Sequence, residues 1–415
     1  LWLRHWLNRS RTNPNGESMS SRRFCIANEE EIKAGQTTDV YFTRTKQVLE
    51  QYGLAKRRTV IEVTPGELPN GWPWAVLCGV EEVARLLEGL PINVYSLAEG
   101  SIFRSVDSRG TRLPLLFVEG PYSDFSIFET PLLGLLCQAS GIATMAARVR
   151  KAAGDKLLLG FGIRRMHPAL APMIDRATFI GGFDGVSSLV GATAVQRPAM
   201  GTMPHALIIV FGDQVKAWKA FDEAMPTEVP RIALTDTFYD EKTESIMAAE
   251  ALGERLYGVR LDTPGSRRGD FASIIREVRW ELDLRGFRHV KILASGGLND
   301  ESIRELVDAG ADGFGVGTAV SNAPTIDMAM DIVEVEGRPM AKRGKLGGKK
   351  QVWRCPQCLS DLVRPYAEPP AKCPRCGSET ERMLLPLILD GKLVASLPPA
   401  ENVREYLLKQ LTKLE

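Results

Sequence analysis

The chain has 415 residues, 44% of them hydrophobic and 25% charged, with a formal net charge of +1. That length accommodates two or three domains with cores of their own. The balanced charge excludes a global field that would recruit nucleic acid or an anionic membrane, so neither is expected as a partner. Apolar runs such as 206–211 and 384–389 are core-sized and fall short of the roughly 18 residues needed to span a bilayer.

Residues 1–18, rich in Trp, Arg, Asn and Ser and followed by Met19, read as a leader outside the folded domains. Residues 19–125 read as an α+β domain with a mostly antiparallel sheet, completed by C-terminal residues. Asp39 is placed to cap a helix running through Tyr41 to about Tyr52. Tyr41 near its first turn is either a packed aromatic or one that projects outward at a fixed position. Residues 58–63 alternate like a strand, and 81–89 is a short helix ending at glycine. Residues 92–106 and 113–119 read as strands joined by a turn at 107–110.

Residues 126–335 change character. A long helix to about 153 is followed by repeated strand, turn and helix. The predicted strands are 156–161, 179–180, 199–202, 231–234, 257–261, 290–294 and 313–316. Helices fall between them, as at 187–195, 243–252, 271–282 and 300–309. The pattern predicts an α/β fold, an incomplete TIM-like barrel, whose chemistry lies where strands end. Arg164, Arg165, Arg260 and His205 suit an anionic, phosphate-bearing substrate. Asp184 and Asp262 suit sugar hydroxyls, or a magnesium ion held through diphosphate and water. Ser295-Gly296-Gly297 before a helix, and Gly315-Val316-Gly317-Thr318 after the next strand, match a phosphate cradle of late barrel loops. Neither a P-loop nor a dinucleotide glycine fingerprint in its strand–helix context occurs. His167 either receives a hydrogen bond within its loop or contacts a substrate phosphate. The set predicts transfer or isomerisation of a phosphorylated sugar more readily than redox chemistry.

Residues 336–350 read as a basic linker, solvated or acting as a flap near the phosphate site. Cys355, Cys358, Cys373 and Cys376 form two Cys-x-x-Cys pairs, the spacing of a zinc ribbon over 351–397. Four thiolates leave no open coordination position, so the zinc is structural. The isolated Cys25, Cys78 and Cys137 read as small buried hydrophobes. An odd cysteine total and no secretion signal point to a reducing cytoplasm. Residues 398–415 read as a C-terminal helix, apolar at Val403, Leu407, Leu408 and Leu411.

Five stretches are more specific. They are Thr38-Asp39-Val40-Tyr41-Phe42, Phe161-Gly162-Ile163-Arg164-Arg165-Met166-His167-Pro168, Gly181-Gly182-Phe183-Asp184-Gly185-Val186-Ser187, Gly201-Thr202-Met203-Pro204-His205 and Arg260-Leu261-Asp262-Thr263-Pro264-Gly265. Over about residues 24–343 the chain resembles nicotinate phosphoribosyltransferase, of the type II phosphoribosyltransferase family with nicotinamide and quinolinate relatives, in its shorter archaeal form. The resemblance implies transfer of phosphoribose from phosphoribosyl pyrophosphate to nicotinate in pyridine nucleotide salvage. Magnesium is required, and ATP hydrolysis is coupled in ligase fashion. Phe161 then stacks on the pyridine ring, and Tyr41 from a second subunit of a homodimer covers its other face. Asp184 orients the ring. Arg164 and Arg260 take the carboxylate or the phosphates, with Arg165, His167 and Thr202 nearby. Asp262 holds ribose hydroxyls, Ser295–Gly297 and Gly315–Thr318 cradle the 5-phosphate, and His205 is the transiently phosphorylated histidine. The nearest rival is quinolinate phosphoribosyltransferase, which needs extra cations for a second carboxylate; nicotinamide is another acceptor. A rival of another class is a nucleic-acid-binding zinc-ribbon protein on an inactive barrel.

Overall fold

A computed structural model describes residues 24–414; the expected leader 1–18, with His5, lies outside the described residues. The chain divides into a unit ending at Thr37 and a second beginning at Thr38. In the first, helix Glu29–Lys33 starts with a capping box. Asn28 accepts the Glu31 N–H at 2.8 Å, and the Glu31 carboxylate accepts the Asn28 N–H at 2.9 Å. Cys25 in this unit is exposed, not buried as its type suggested.

In the second unit, strand Arg58–Pro65 is buried at every residue but the first. It has an antiparallel neighbour on each side, Met328–Val335 and Leu116–Pro121. The sheet runs Arg338–Pro339, Met328–Val335, Arg58–Pro65, Leu116–Pro121, Asn93–Ser96, Leu385–Leu389 and Lys392–Leu393. The chain therefore returns twice from the C-terminal side to extend its N-terminal α+β domain. Residues 328–335 pair there rather than in the barrel. Against this domain lies helix Glu129–Ala153, whose small residues permit close contact: a Cβ on Gly141 would sit 2.3 Å from the Pro324 carbonyl oxygen. The run Tyr122–Ala153 is, against expectation, long and apolar enough to cross a membrane, yet 61% of its most apolar window is buried within the fold. It has the character of a core helix.

The barrel sheet is parallel throughout. Its order is Gly185–Val186, Leu157–Gly160, Gly313–Val316, Lys291–Ser295, Gly258–Leu261 and Ile232–Leu234. The first and last strands are edges, so the barrel is open, as the sequence predicts. Two predicted strands differ. Residues 179–180 end helix Ala171–Ile180, and 199–202 form no regular element. The strand in that region is Gly185–Val186. Helix 171–180 wins because Ile174, Ala177 and Thr178 recur at helical spacing and are all buried.

Strands Lys350–Arg354, Asp361–Pro365 and Glu381–Arg382 form a separate three-stranded sheet that carries the cysteine pairs. The basic segment before it is largely exposed, but four of its lysines are paired with carboxylates. Lys342 and Lys345 lie 2.5 and 2.7 Å from the Asp331 carboxylate, Lys349 lies 3.0 Å from Glu119, and Lys350 lies 2.9 Å from buried Glu62. Helix Ala400–Leu411 closes the chain with Val403, Leu407 and Leu411 buried.

Candidate active site

The sheet register brings several predicted residues to one rim. Gly160 pairs with Val316, Ser295 with Gly315, Leu261 with Ala294, and Arg260 with Leu234. Phe161, Gly317, Ser295, Asp262 and Asp236 therefore emerge together at the C-terminal ends of parallel strands. The Phe161 N–H donates to the Val316 carbonyl at 2.8 Å. Its ring lies across Gly315, where a Cβ would stand 2.3 Å from a ring carbon. Glycine is thus required beneath the ring for steric reasons. The Arg260 guanidinium stands 5.9 Å from the centroid of the same ring. Its side chain is 12% exposed, and Nε has no hydrogen-bond partner. A buried cation with an unused donor beside an aromatic face is arranged for a flat anion.

Beside it is a compact acid–histidine cluster. Ser295 Oγ donates to Asp262 Oδ1 at 2.6 Å. Asp262 Oδ2 is 3.6 Å from Arg260 and 3.7 Å from His205 Nε2. Asp236 is almost wholly buried; one oxygen accepts the Asp262 N–H at 2.7 Å and the Thr263 hydroxyl at 2.9 Å. Its other oxygen has no hydrogen-bond partner and points toward His205 Nε2 at 3.8 Å. Burial works against ionisation of Asp262, but hydrogen bonds from His205 and Ser295 and the Arg260 charge outweigh it and hold the carboxyl below its usual range. Burial pushes Asp236 up. The hydrogen bond to Asp262 raises the His205 imidazole, against burial, with the Asp236 charge adding to it. In the sequence, the one signal for Asp236 is its position just after the predicted strand 231–234.

The glycine loops lie on the same rim. Gly296 and Gly297 have φ of +93° and +72°, a conformation that side chains disfavour, and they precede helix Asp300–Asp308. Thr318 is exposed and opens the short helix Thr318–Ser321 after Gly317. Arg164 and Arg165 are exposed on a single turn after Phe161, and neither pairs with a carboxylate among the described residues. His167 Nδ1 accepts the Ala169 N–H at 3.2 Å, capping its own loop. Thr202 is half-buried just before the helix that His205 opens.

Two predicted residues lie elsewhere. Asp184 precedes strand Gly185–Val186 instead of following one, so it sits at the opposite end of the sheet. Arg150 and Arg404 grip its carboxylate at 2.6 and 2.7 Å, and the Leu158 N–H donates to it at 2.9 Å. This is a structural clasp between the long helix, the barrel and the C-terminal helix, and it cannot orient a ring at the rim. Tyr41, 55% exposed, lines a recess of about 250 Å³ with Tyr122, Glu129 and Asp331; Phe161 is not among its walls.

The four cysteine sulfurs lie within 4.8 Å of one another. Three pairs are 3.4, 3.6 and 3.8 Å apart. Tetrahedral Zn–S bonds of ~2.3 Å place sulfurs ~3.8 Å apart. The residues present therefore fit a structural zinc, and the separations are far too long for disulfides.

Comparison with known proteins gives the family setting. Residues 39–140 match the N-terminal domain of quinolinate phosphoribosyl transferase, and residues 142–331 match its C-terminal domain. The crystal structure of nicotinate-nucleotide pyrophosphorylase from Pyrococcus furiosus is 57% identical, with a TM-score of 0.91 over 95% of this chain and 100% of that one. A nicotinate phosphoribosyltransferase of Mycobacterium tuberculosis is 29% identical, with 87% of each chain covered. The human nicotinic acid phosphoribosyltransferase structure, 22% identical with a TM-score of 0.72 over 91% of this chain and 94% of that one, shares the fold. The two domain matches and the 57% identical structure overturn the nicotinate phosphoribosyltransferase assignment. With it go nicotinate as acceptor, the salvage role, ATP as cosubstrate, ligase-type coupling and the phosphohistidine. His205 Nδ1 is 3.1 Å from Thr237 Oγ1, and its Nε2 faces the carboxylates of Asp236 and Asp262.

Proposed function

The chain belongs to the quinolinate phosphoribosyl transferase family, and from that premise we propose that it joins quinolinate to the phosphoribose of phosphoribosyl pyrophosphate, releasing pyrophosphate and carbon dioxide and leaving nicotinate mononucleotide. The observation that carries this reading is the buried Arg260 beside Phe161, with an unused Nε, and two arginines on the adjoining turn, Arg164 and Arg165, that have no carboxylate partner among the described residues. A dicarboxylate ring needs one aromatic face and more than one cation. In this reading Phe161 stacks on the pyridine, Arg260 takes one carboxylate, and Arg164 or Arg165 takes the other. Stacking holds the ring nitrogen in line with the sugar carbon. Asp262, kept ionised, accepts from ribose hydroxyls and faces the positive charge that builds as pyrophosphate leaves. Ser295, Gly296, Gly297 and the 315–318 loop receive the 5-phosphate through backbone N–H groups. Asp236 and Asp262 are the carboxylates that would hold a magnesium ion, and the orphaned, buried Asp236 oxygen fits that role. Magnesium, when bound, neutralises diphosphate charge. Protonated His205 adds a cation for the same anion and later stands as a proton source beside the decarboxylated ring.

A homodimer supplies the missing second wall in this reading, with Tyr41 of one copy approaching the rim of the other. Exposed Leu189, Val190, Ile209 and Val210, on the two helices that follow strand Gly185–Val186, support it. The test is a product assay with phosphoribosyl pyrophosphate and magnesium, without ATP, on quinolinate, nicotinate and nicotinamide separately. One carbon dioxide and one pyrophosphate per nucleotide from quinolinate is the expected result. Turnover of nicotinate in place of quinolinate, or an absolute need for ATP, overturns it.

A further inference from the structure

A cavity of about 290 Å³ opens between the N-terminal domain and the C-terminal segment, with no wall taken from the barrel strands or their C-terminal loops. Its body is apolar, with Leu97, Leu387 and Val403 buried in its walls and Pro386 and Pro398 beside them. Glu81 and Glu99 are among its lining residues, and no lysine, arginine or histidine is. Behind these carboxylates stands a single cation. Arg176 meets Glu99 at 2.9 Å through each of two nitrogens and Glu81 Oε2 at 2.8 Å. Glu99 is saturated, since it also accepts the Gly79 N–H at 2.7 Å. Two carboxylates share one guanidinium, so a negative charge is left over. Glu81 is the one that carries it: its side chain is 36% exposed, and only Oε2 is engaged by Arg176.

We propose that this cavity is a second ligand site, taking a small, largely apolar organic cation with its ammonium toward Glu81 and its hydrocarbon body between Leu97, Leu387 and Val403. The walls match the usual composition of small-molecule sites, mostly apolar with few polar groups that fix orientation. The sign of the leftover charge sets the class. Quinolinate, phosphoribosyl pyrophosphate and the nucleotide product are all anions, so none of them is the occupant. The inference goes beyond phosphoribosyl transfer and does not depend on it.

The test is calorimetric titration of the full chain with benzylammonium, benzyl alcohol and benzoate, three probes of one shape and different charge. Benzylammonium saturates one site per chain; benzyl alcohol binds about fivefold more weakly, the worth of one partly exposed ion pair; benzoate does not bind. Ser396 is exposed among the lining residues. Ser396→Trp closes the cavity without touching the core and abolishes binding. Glu81→Gln brings benzylammonium down to the level of benzyl alcohol. Saturating quinolinate leaves the titration unchanged. Benzoate binding as tightly as benzylammonium, full binding by the Ser396→Trp protein, displacement by quinolinate, or no saturation by about 10 mM each overturns the proposal. A chain that fails to form nucleotide but still binds benzylammonium separates this site from the transferase reading.

Discussion

Replacing Arg260 tests the proposed chemistry most directly. Its guanidinium stands 5.9 Å from the Phe161 ring centroid and 3.6 Å from Asp262, with Nε unpartnered. In Arg260→Leu the substrate carboxylate loses a charge-assisted hydrogen-bonding fork worth about 1.5–3 kcal/mol. That corresponds to a fall in kcat/KM for quinolinate of roughly 10- to 150-fold. Arg260→Lys keeps the charge without the planar fork and falls between the two. The change also has a sign in pH. The Arg260 charge is one of the influences that overcome burial and hold Asp262 below its usual range. Without it the Asp262 pKa rises, so the acid limb of the rate profile moves to higher pH. The assay is steady-state kinetics over a pH series, with thermal unfolding measured on the same samples. A kcat/KM within about threefold of wild type, or an acid limb that stays in place, refutes the role given to Arg260.

The other expectations are simpler. Asp184→Asn and Asp236→Asn separate clasp from site. The first weakens the two arginine contacts at 2.6 and 2.7 Å and lowers unfolding stability by about 1–3 kcal/mol with little effect on KM; the second depresses kcat at least about tenfold in a folded protein, and an exchange of these two outcomes defeats the placement of Asp184. For the cysteine cluster, one zinc per chain is expected on metal analysis. A strong chelator or Cys355→Ser should release it and lower the unfolding temperature; metal-free protein with unchanged melting in chelator would rule out a structural metal. Burial, with the Asp331 charge, pushes Glu129 up to about 7 from an ordinary value of 4.5, against the pull of Lys342. The folded chain then keeps a proton that the unfolded chain releases between those values, so stability falls as pH rises through that window. Glu129 is only half-buried, so the loss is at most about 2 kcal/mol after solvent screening. Glu129→Gln should flatten that part of the stability curve, and parallel curves for the two proteins would show that Glu129 is not the group responsible.

The open barrel and most of its rim are legible in the sequence because parallel strands impose register. Once strand Gly258–Leu261 is located, Arg260 and Asp262 must approach Ser295 and Gly315. Asp184 is misread for a local reason. The pair Phe179–Ile180 is apolar and short, and a run of that length does not distinguish a strand from the end of a helix. Placing a strand before Asp184 instead of after it moves the carboxylate from one end of the sheet to the other. The pairing of the lysines at 342–350 is hidden for a long-range reason. Their partners include Glu62 and Glu119, more than two hundred residues earlier, and nothing within the segment announces that they are paired. Asp236 is missed because a single acid after a strand is commonplace; it acquires meaning only from the orphaned oxygen that the fold aims at His205. The acceptor is the hardest to read. In the proposed reading Phe161 and Arg260 would serve a monocarboxylate ring as readily as a dicarboxylate, and the discriminating feature is a further cation without a carboxylate partner among the described residues. Arg164 and Arg165 are adjacent and prominent in the sequence, but that neither has a carboxylate partner among the described residues is read only from the fold.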